Sequence, residues 1–115
     1  MLHRVELRLF ECILMQELRL KCKPNVRLSR SVKFDGDPCF GLYEGEYMGR
    51  GKYVHTIRIN KSAVTDSLSF FATLAHEYVH AWQMENEHDV DHGKNFDAWC
   101  KQFAKDYCID INNMV

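Results

Sequence analysis

The chain has 115 residues, of which 46% are hydrophobic and 27% are charged, and its formal net charge is -1. This length accommodates one domain with a real core and leaves no room for a second. No run of about 18 apolar residues occurs, which excludes a membrane-spanning helix, and charged residues interrupt the apolar N-terminus, unlike a secretory signal. We therefore expect a single domain over residues 1–115 with a cytoplasmic, intracellular location.

The charges are unevenly distributed along the chain. Residues 1–61 carry 12 lysines and arginines against 7 acidic residues, whereas residues 62–115 carry 3 against 9. A basic half is compatible with a weak contact to DNA, although a mixed solvated surface is the simpler interpretation. The residues that would make this contact are Lys21, Lys23, Arg27, Arg30, Lys33, Arg50, Lys52 and Arg58.

Cysteine usage excludes two common kinds of small domain. The five cysteines are an odd number and include no CxxC pair. This pattern argues against a disulfide framework and against a cysteine zinc ribbon. We expect most of the five to be small buried residues.

The first predicted element is an N-terminal helix over residues 2–20. Its apolar residues, from Leu2 to Leu18, recur at helical spacing and form one wide face. Pro24 follows shortly afterwards and cannot continue a helix. We therefore expect the helix to end before this proline.

Three strands are predicted between the proline and residue 60. Alternation from Val26 to Phe34 indicates a first half-buried strand, and residues 35–38 form a turn. A second strand starts at Cys39 and reaches Tyr43 or beyond, and after a turn at residues 49–52 a third strand covers residues 53–60. We expect a three-stranded, mostly antiparallel sheet.

Two further helices are predicted after the sheet. Asp66 or Ser67 is a suitable N-cap for a helix that runs to about Glu85. A polar, acidic loop over residues 84–91 follows, and helical spacing resumes over residues 95–107. The expected fold class is α+β: an N-terminal helix, the sheet, a long central helix and a C-terminal helix.

The central helix contains the pattern HExxH, formed by His76, Glu77 and His80. Residues four apart lie on the same helix face, so the two imidazoles can converge on one zinc ion. A catalytic zinc takes three protein ligands plus a water molecule, and the glutamate is placed to accept the proton of that water. The alternative is a helix with two satisfied histidines, but the apolar flanks predict that this helix is buried.

A third metal ligand must lie downstream of the two histidines. The candidates are Glu85, Glu87, His88, Asp89, Asp91 and His92. The metzincin spacing fails because Gln83 and Asn86 occupy its key positions, and no glutamate lies about 20 residues on. His92 is favoured because it precedes the last helix and can point back across the loop, with His88 as the fallback.

The two segments together resemble a known family. HEYVHAWQ, a gap of 11 residues after His80 and then HGKNFDAW are similar to the SprT-like zinc metallopeptidase domain, over about residues 68–104. The resemblance implies a zincin-like fold, with His76, His80 and His92 as zinc ligands and Glu77 as the general acid/base. No cysteine pairs are present to build the C-terminal zinc ribbon of some relatives, so we expect a minimal version, of a kind suited to a phage.

The resulting hypothesis is a zinc-dependent endopeptidase that acts on protein or peptide substrates. The family includes proteases that degrade proteins crosslinked to DNA, so the resemblance extends to DNA-associated substrates and DNA-protein crosslink repair. One alternative is a non-catalytic zinc-containing adaptor on DNA or on a protein partner, and another is an amidase acting on small molecules. An oxyanion donor is also expected, with Tyr47, Tyr53 and His55 as candidates.

Overall fold

A computed structural model describes residues 4–112 of the chain. These residues form an α+β fold with three helices and a small, mostly antiparallel sheet. In chain order the elements are α1 (Arg4–Leu18), β1 (Asn25–Ser29), β2 (Lys33–Phe34), β3 (Asp37–Pro38), β4 (Gly41–Gly49), β5 (Lys52–Asn60), α2 (Ser67–Glu85) and α3 (Lys94–Tyr107).

Helix α1 confirms the predicted N-terminal helix, although Leu2 lies outside the described residues. Leu14 and Leu18 are buried in the core, as the apolar spacing predicts. The helix ends at Leu18 because Arg19 adopts a left-handed conformation with a φ of 52°. The end therefore comes six residues before Pro24 and is set by the backbone of Arg19.

The three-stranded sheet has the order β1-β5-β4, with β5 in the centre. β4 and β5 are antiparallel and are joined by a tight turn in which Gly49, Arg50 and Gly51 all have positive φ. β1 is parallel to β5, with Val26 opposite Ile57. No strand within residues 4–112 pairs with the other side of β4. β4 is therefore an edge strand.

The prediction of one continuous strand from Val26 to Phe34 is wrong. The chain leaves β1 at Ser29, and β2 pairs instead with β3 in a separate two-stranded hairpin. Asp35 and Gly36 close this hairpin with φ values of 51° and 83°. The sequence predicts one strand because apolar and polar residues continue to alternate after Ser29. This alternation does not show that the first strand ends there and that a second one begins at Lys33.

Helix α2 lies at the centre of the fold. Asp66 caps it, because its side chain accepts a hydrogen bond from the Ser69 backbone N–H at 2.8 Å. Most of its 19 residues are buried, since the helix contacts α1, α3, β4 and β5. Despite this apolar character, no helix in the described part of the chain is long and apolar enough to cross a membrane.

The cysteines differ from the sequence prediction in their exposure. All five are free thiols, and none of them is fully buried. Cys12 and Cys108 are exposed, and the other three are half-buried. The prediction that most are buried is wrong, because Leu, Ile and Phe side chains fill the core instead.

One buried hydrogen bond ties α1 to α2. The Tyr78 hydroxyl donates to the Glu11 carboxylate at 2.7 Å, and only 6% of Glu11 is exposed. We expect Tyr78→Phe to lower the free energy of unfolding by about 1.5–3 kcal/mol, because a buried carboxylate loses its donor. Chemical denaturation measures this change.

Tyr107→Phe is the matched control. The Tyr107 hydroxyl donates to Glu17 at the longer distance of 3.2 Å, where both residues are only half-buried. Its replacement should therefore lower the free energy of unfolding less than Tyr78→Phe does. Equal losses in the two variants would contradict this assignment.

Candidate metal centre

Three histidines meet beside the middle of α2. His76 and His80 lie one turn apart on this helix and are buried, whereas His92 is exposed in the loop just before α3. One ring nitrogen of each histidine lies within 4.8 Å of the corresponding nitrogens of the other two. The Nε2 atoms of His76 and His92 are 3.2 Å apart. The group could therefore hold a metal ion.

One of these separations, that between the His76 and His92 nitrogens, fits a small tetrahedral metal ion. Zinc binds imidazole nitrogen at about 2.0–2.1 Å, so two ligands of a tetrahedral site lie about 3.3 Å apart. The observed 3.2 Å between the His76 and His92 Nε2 atoms agrees with this spacing. The donor set of three imidazoles is also one that zinc prefers.

Two hydrogen bonds set which ring nitrogen of each buried histidine is free. His76 Nδ1 lies 2.6 Å from the Ile111 carbonyl oxygen, and His80 Nδ1 lies 2.8 Å from Gln83 Oε1. Because an oxygen of this kind only accepts, each Nδ1 carries the proton and donates it. The Nε2 atoms of His76 and His80 therefore each keep a lone pair that can bind a metal ion.

Burial also keeps the two histidines in the form that binds a metal. It lowers the pKa of His76 to about 4, while the hydrogen bond to the Ile111 carbonyl acts in the opposite direction. Burial likewise lowers the pKa of His80. Both imidazoles are therefore neutral near pH 7, and only a neutral imidazole can offer a lone pair to a metal.

Glu77 lies beside the histidines with 3% of its side chain exposed. Its Oε2 atom is 3.9 Å from His76 Nε2, and burial raises its pKa to about 8. The start of β4 approaches it closely, since a Cβ atom at Gly41 would lie 3.0 Å from Glu77 Oε2. A side chain at this position would therefore crowd the carboxylate, and the neighbouring side-chain atoms would have to move by a few tenths of an ångström.

A cleft of about 390 Å³ opens over the three histidines and Glu77. It is also lined by Tyr43 of β4, by Phe34 of the β2–β3 hairpin, and by Val90 and Asp91 of the loop before α3. Phe34 and Val90 are exposed apolar residues at its rim. The cleft therefore offers apolar walls to a ligand that reaches the histidines.

The fallback ligand His88 is not part of this group. Its ring packs against Trp82, with the ring centroids 5.2 Å apart. Glu85 is also committed elsewhere, because its carboxylate accepts hydrogen bonds from the backbone N–H groups of Lys21 and Cys22. Of the downstream candidates, the described residues bring only His92 together with His76 and His80.

The three candidate oxyanion donors do not line the cleft. His55 is fully buried between Tyr43 and Glu85, at 2.6 Å from the Tyr43 hydroxyl and 2.7 Å from Glu85 Oε2. Tyr47 and Tyr53 instead pack against each other near the β4–β5 turn, with ring centroids 5.1 Å apart. The tyrosine that lines the cleft is Tyr43, which the sequence reasoning did not include.

Sequence reasoning also missed the residues that orient the histidines. Ile111 lies 35 positions from His76, and its contribution is a backbone carbonyl that no residue type reveals. Gln83 lies on the same helix as His80, and its spacing of three residues was a usable signal. A buried polar residue one turn after a ligand is a candidate for orienting it.

Comparison with known proteins identifies the family of the chain. The family model described as SprT-like family matches residues 7–113. No curated protein and no solved structure matches the chain. The family match covers almost the whole sequence and includes every residue of the histidine group. The chain therefore belongs to the SprT-like family.

Proposed function

We propose that the protein is a zinc-dependent endopeptidase with a zincin-like fold. His76, His80 and His92 would hold the zinc ion, and Glu77 would act as general acid/base. The observation that carries this proposal is the convergence of the histidine nitrogens within 4.8 Å, with a buried carboxylate next to them. Membership of the SprT-like family supports the same function.

The chemistry divides between the ion and the protein. A bound zinc ion acts as a Lewis acid toward a peptide carbonyl and lowers the pKa of water to about 7. Glu77 accepts the proton of the attacking water on its carboxylate and then delivers it to the leaving amine nitrogen. Burial raises the pKa of Glu77 to about 8, which brings this carboxyl group near the neutral pH at which a general acid/base exchanges protons most effectively.

The proposed substrate is an extended polypeptide lying along β4. This strand has a free edge within the described residues, and its Gly41 and Tyr43 line the cleft. A peptide added to such an edge is held by backbone hydrogen bonds, which give affinity with little sequence selectivity. Phe34 and Val90 at the rim would contact its apolar side chains.

Substrates bound or crosslinked to DNA are an extension of this proposal. The basic residues Lys21, Lys23, Arg27, Arg30 and Lys33 are exposed, as a DNA contact requires. Binding of single-stranded and duplex DNA that weakens as salt rises is the expected result. An absence of binding at low salt would remove DNA from the proposal and leave the endopeptidase in place.

Hydrolysis of an unfolded polypeptide tests the proposed function. The zinc-loaded protein should generate new peptide termini, detected by mass spectrometry, and chelation should stop this until zinc is restored. Zinc bound at one ion per chain without any hydrolysis would favour the adaptor. Cleavage of small amides but of no polypeptide would favour an amidase.

A further inference from the structure

Gln83 is a completely buried polar side chain next to the histidine group. Its exposed fraction is 0%, and it lies on α2 three residues after His80. A buried amide is costly unless its donors and acceptor are all satisfied, because each unpaired group has lost its bonds to water. Its hydrogen bonds therefore indicate why a glutamine is present at this position.

Each end of the Gln83 amide makes two hydrogen bonds. Oε1 accepts from His80 Nδ1 at 2.8 Å and from the Asp91 backbone N–H at 3.3 Å. Nε2 donates to the Asp91 carbonyl oxygen at 2.9 Å and to Asn95 Oδ1 at 2.7 Å. The hydrogen-bonding capacity of the amide is therefore used in full.

These partners include one proposed metal ligand and two residues that lie on either side of a second ligand in the sequence. His80 is bonded directly, whereas Asp91 and Asn95 flank His92 in the sequence. Asp91 immediately precedes His92, and Asn95 lies in the first turn of α3. One side chain thus connects the helix that carries His80 to the loop that carries His92.

The hydrogen bonds of Gln83 also determine which ring nitrogen of His80 carries the proton. The Asp91 carbonyl only accepts, so it must face the NH₂ group of Gln83, and Oε1 must then face His80. His80 Nδ1 therefore carries the proton, and its Nε2 lone pair is free for a metal. A backbone carbonyl in the loop of His92 determines the tautomer of His80.

We propose that Gln83 is a positioning residue that orients His80 and places His92, and so sets the geometry of two of the three metal ligands. This inference rests on the metal centre of the proposed function. Glutamine suits the role because methionine would make neither set of bonds. Glutamate would accept from His80 but has no proton to donate to the Asp91 carbonyl or to Asn95.

Zinc affinity of Gln83 variants, measured by competition with a chelator, tests the inference. Gln83→Met should lower zinc affinity about 10–100-fold, as for other residues that orient metal ligands. Gln102→Met is the matched control, because Gln102 is exposed on α3. The zinc affinity of this variant should stay at the wild-type value. Circular dichroism verifies that each variant is folded.

Gln83→Glu separates the two roles. It retains the acceptor for His80 and loses the donors that hold the loop, so it should lower zinc affinity at least about 10-fold through His92. In a His92→Ala background, Gln83→Glu should lower zinc affinity by less than about 2-fold, because the contribution of the loop to zinc binding is already lost. The visible absorption spectrum of the cobalt-substituted protein should change with Gln83→Glu, since it reports the ligand geometry.

The outcomes distinguish the inference from the metal centre. Wild-type protein that binds zinc, with Gln83→Met and Gln83→Glu binding equally well, overturns the role of Gln83 alone. An equal loss of zinc affinity from Gln83→Glu in the wild-type and His92→Ala backgrounds overturns the inference that Gln83 places His92. Wild-type protein that binds no zinc overturns the metal centre and this inference together.

Discussion

Glu77→Gln is expected to remove peptide hydrolysis while one zinc ion per chain stays bound. Glu77 is buried beside the histidines but does not belong to the group of three proposed metal ligands. Replacing its carboxylate by an amide therefore leaves the three imidazole ligands intact. The amide cannot accept a proton from water, and general acid–base catalysis contributes about 10²–10⁴-fold. We expect kcat for an unfolded polypeptide to fall by at least about 100-fold.

Glu87→Gln is the control for this substitution. Glu87 is an exposed residue in the loop after α2 and does not line the cleft. Its replacement makes the same carboxyl-to-amide substitution at an exposed position and should leave kcat and zinc content unchanged. Full activity in Glu77→Gln would contradict the proposed mechanism, and loss of zinc in that variant would instead indicate that Glu77 is a ligand.

His92→Ala is expected to lower zinc affinity by more than about 100-fold, beyond the effect of residues that only orient ligands. His92 lies outside α2, and its Nε2 atom is 3.2 Å from that of His76. Without it only two histidines remain, which is fewer than a catalytic zinc site requires. Competition with a chelator measures the affinity, and the helical circular dichroism should be retained because His92 is exposed.

His88→Ala is the matched control in the same loop. Its imidazole packs on Trp82 and is not in the histidine group, so zinc affinity should equal that of the wild type. If the loss occurred in His88→Ala and not in His92→Ala, the third ligand would be wrongly assigned. Unchanged affinity in both variants would indicate a ligand outside the three histidines.

The helices and the histidine group follow closely from local sequence signals. Asp66 caps α2 and Glu85 ends it, as predicted, and α3 begins at Lys94, one residue before its predicted start. Long apolar periodicity and an N-cap are strong signals because they depend on neighbouring residues alone. His92 was identifiable because it lies at the start of a predictable helix.

The strand arrangement and the contacts behind the histidines depend on distant residues. The parallel pairing of β1 with β5 and the break after Ser29 are decided by tertiary contacts, which alternation does not report. The Ile111 carbonyl reaches His76 only because Ile109 and Ile111 are buried in the core. Such contacts follow from the folded chain and have no local pattern.

X-ray absorption at the zinc edge of the purified protein tests the metal centre most directly. The proposed site predicts one zinc ion per chain, with three imidazole nitrogens at about 2.0–2.1 Å and one further light atom from water. Sulfur among the ligands, four protein ligands with no open position, or a protein that does not retain zinc would contradict it.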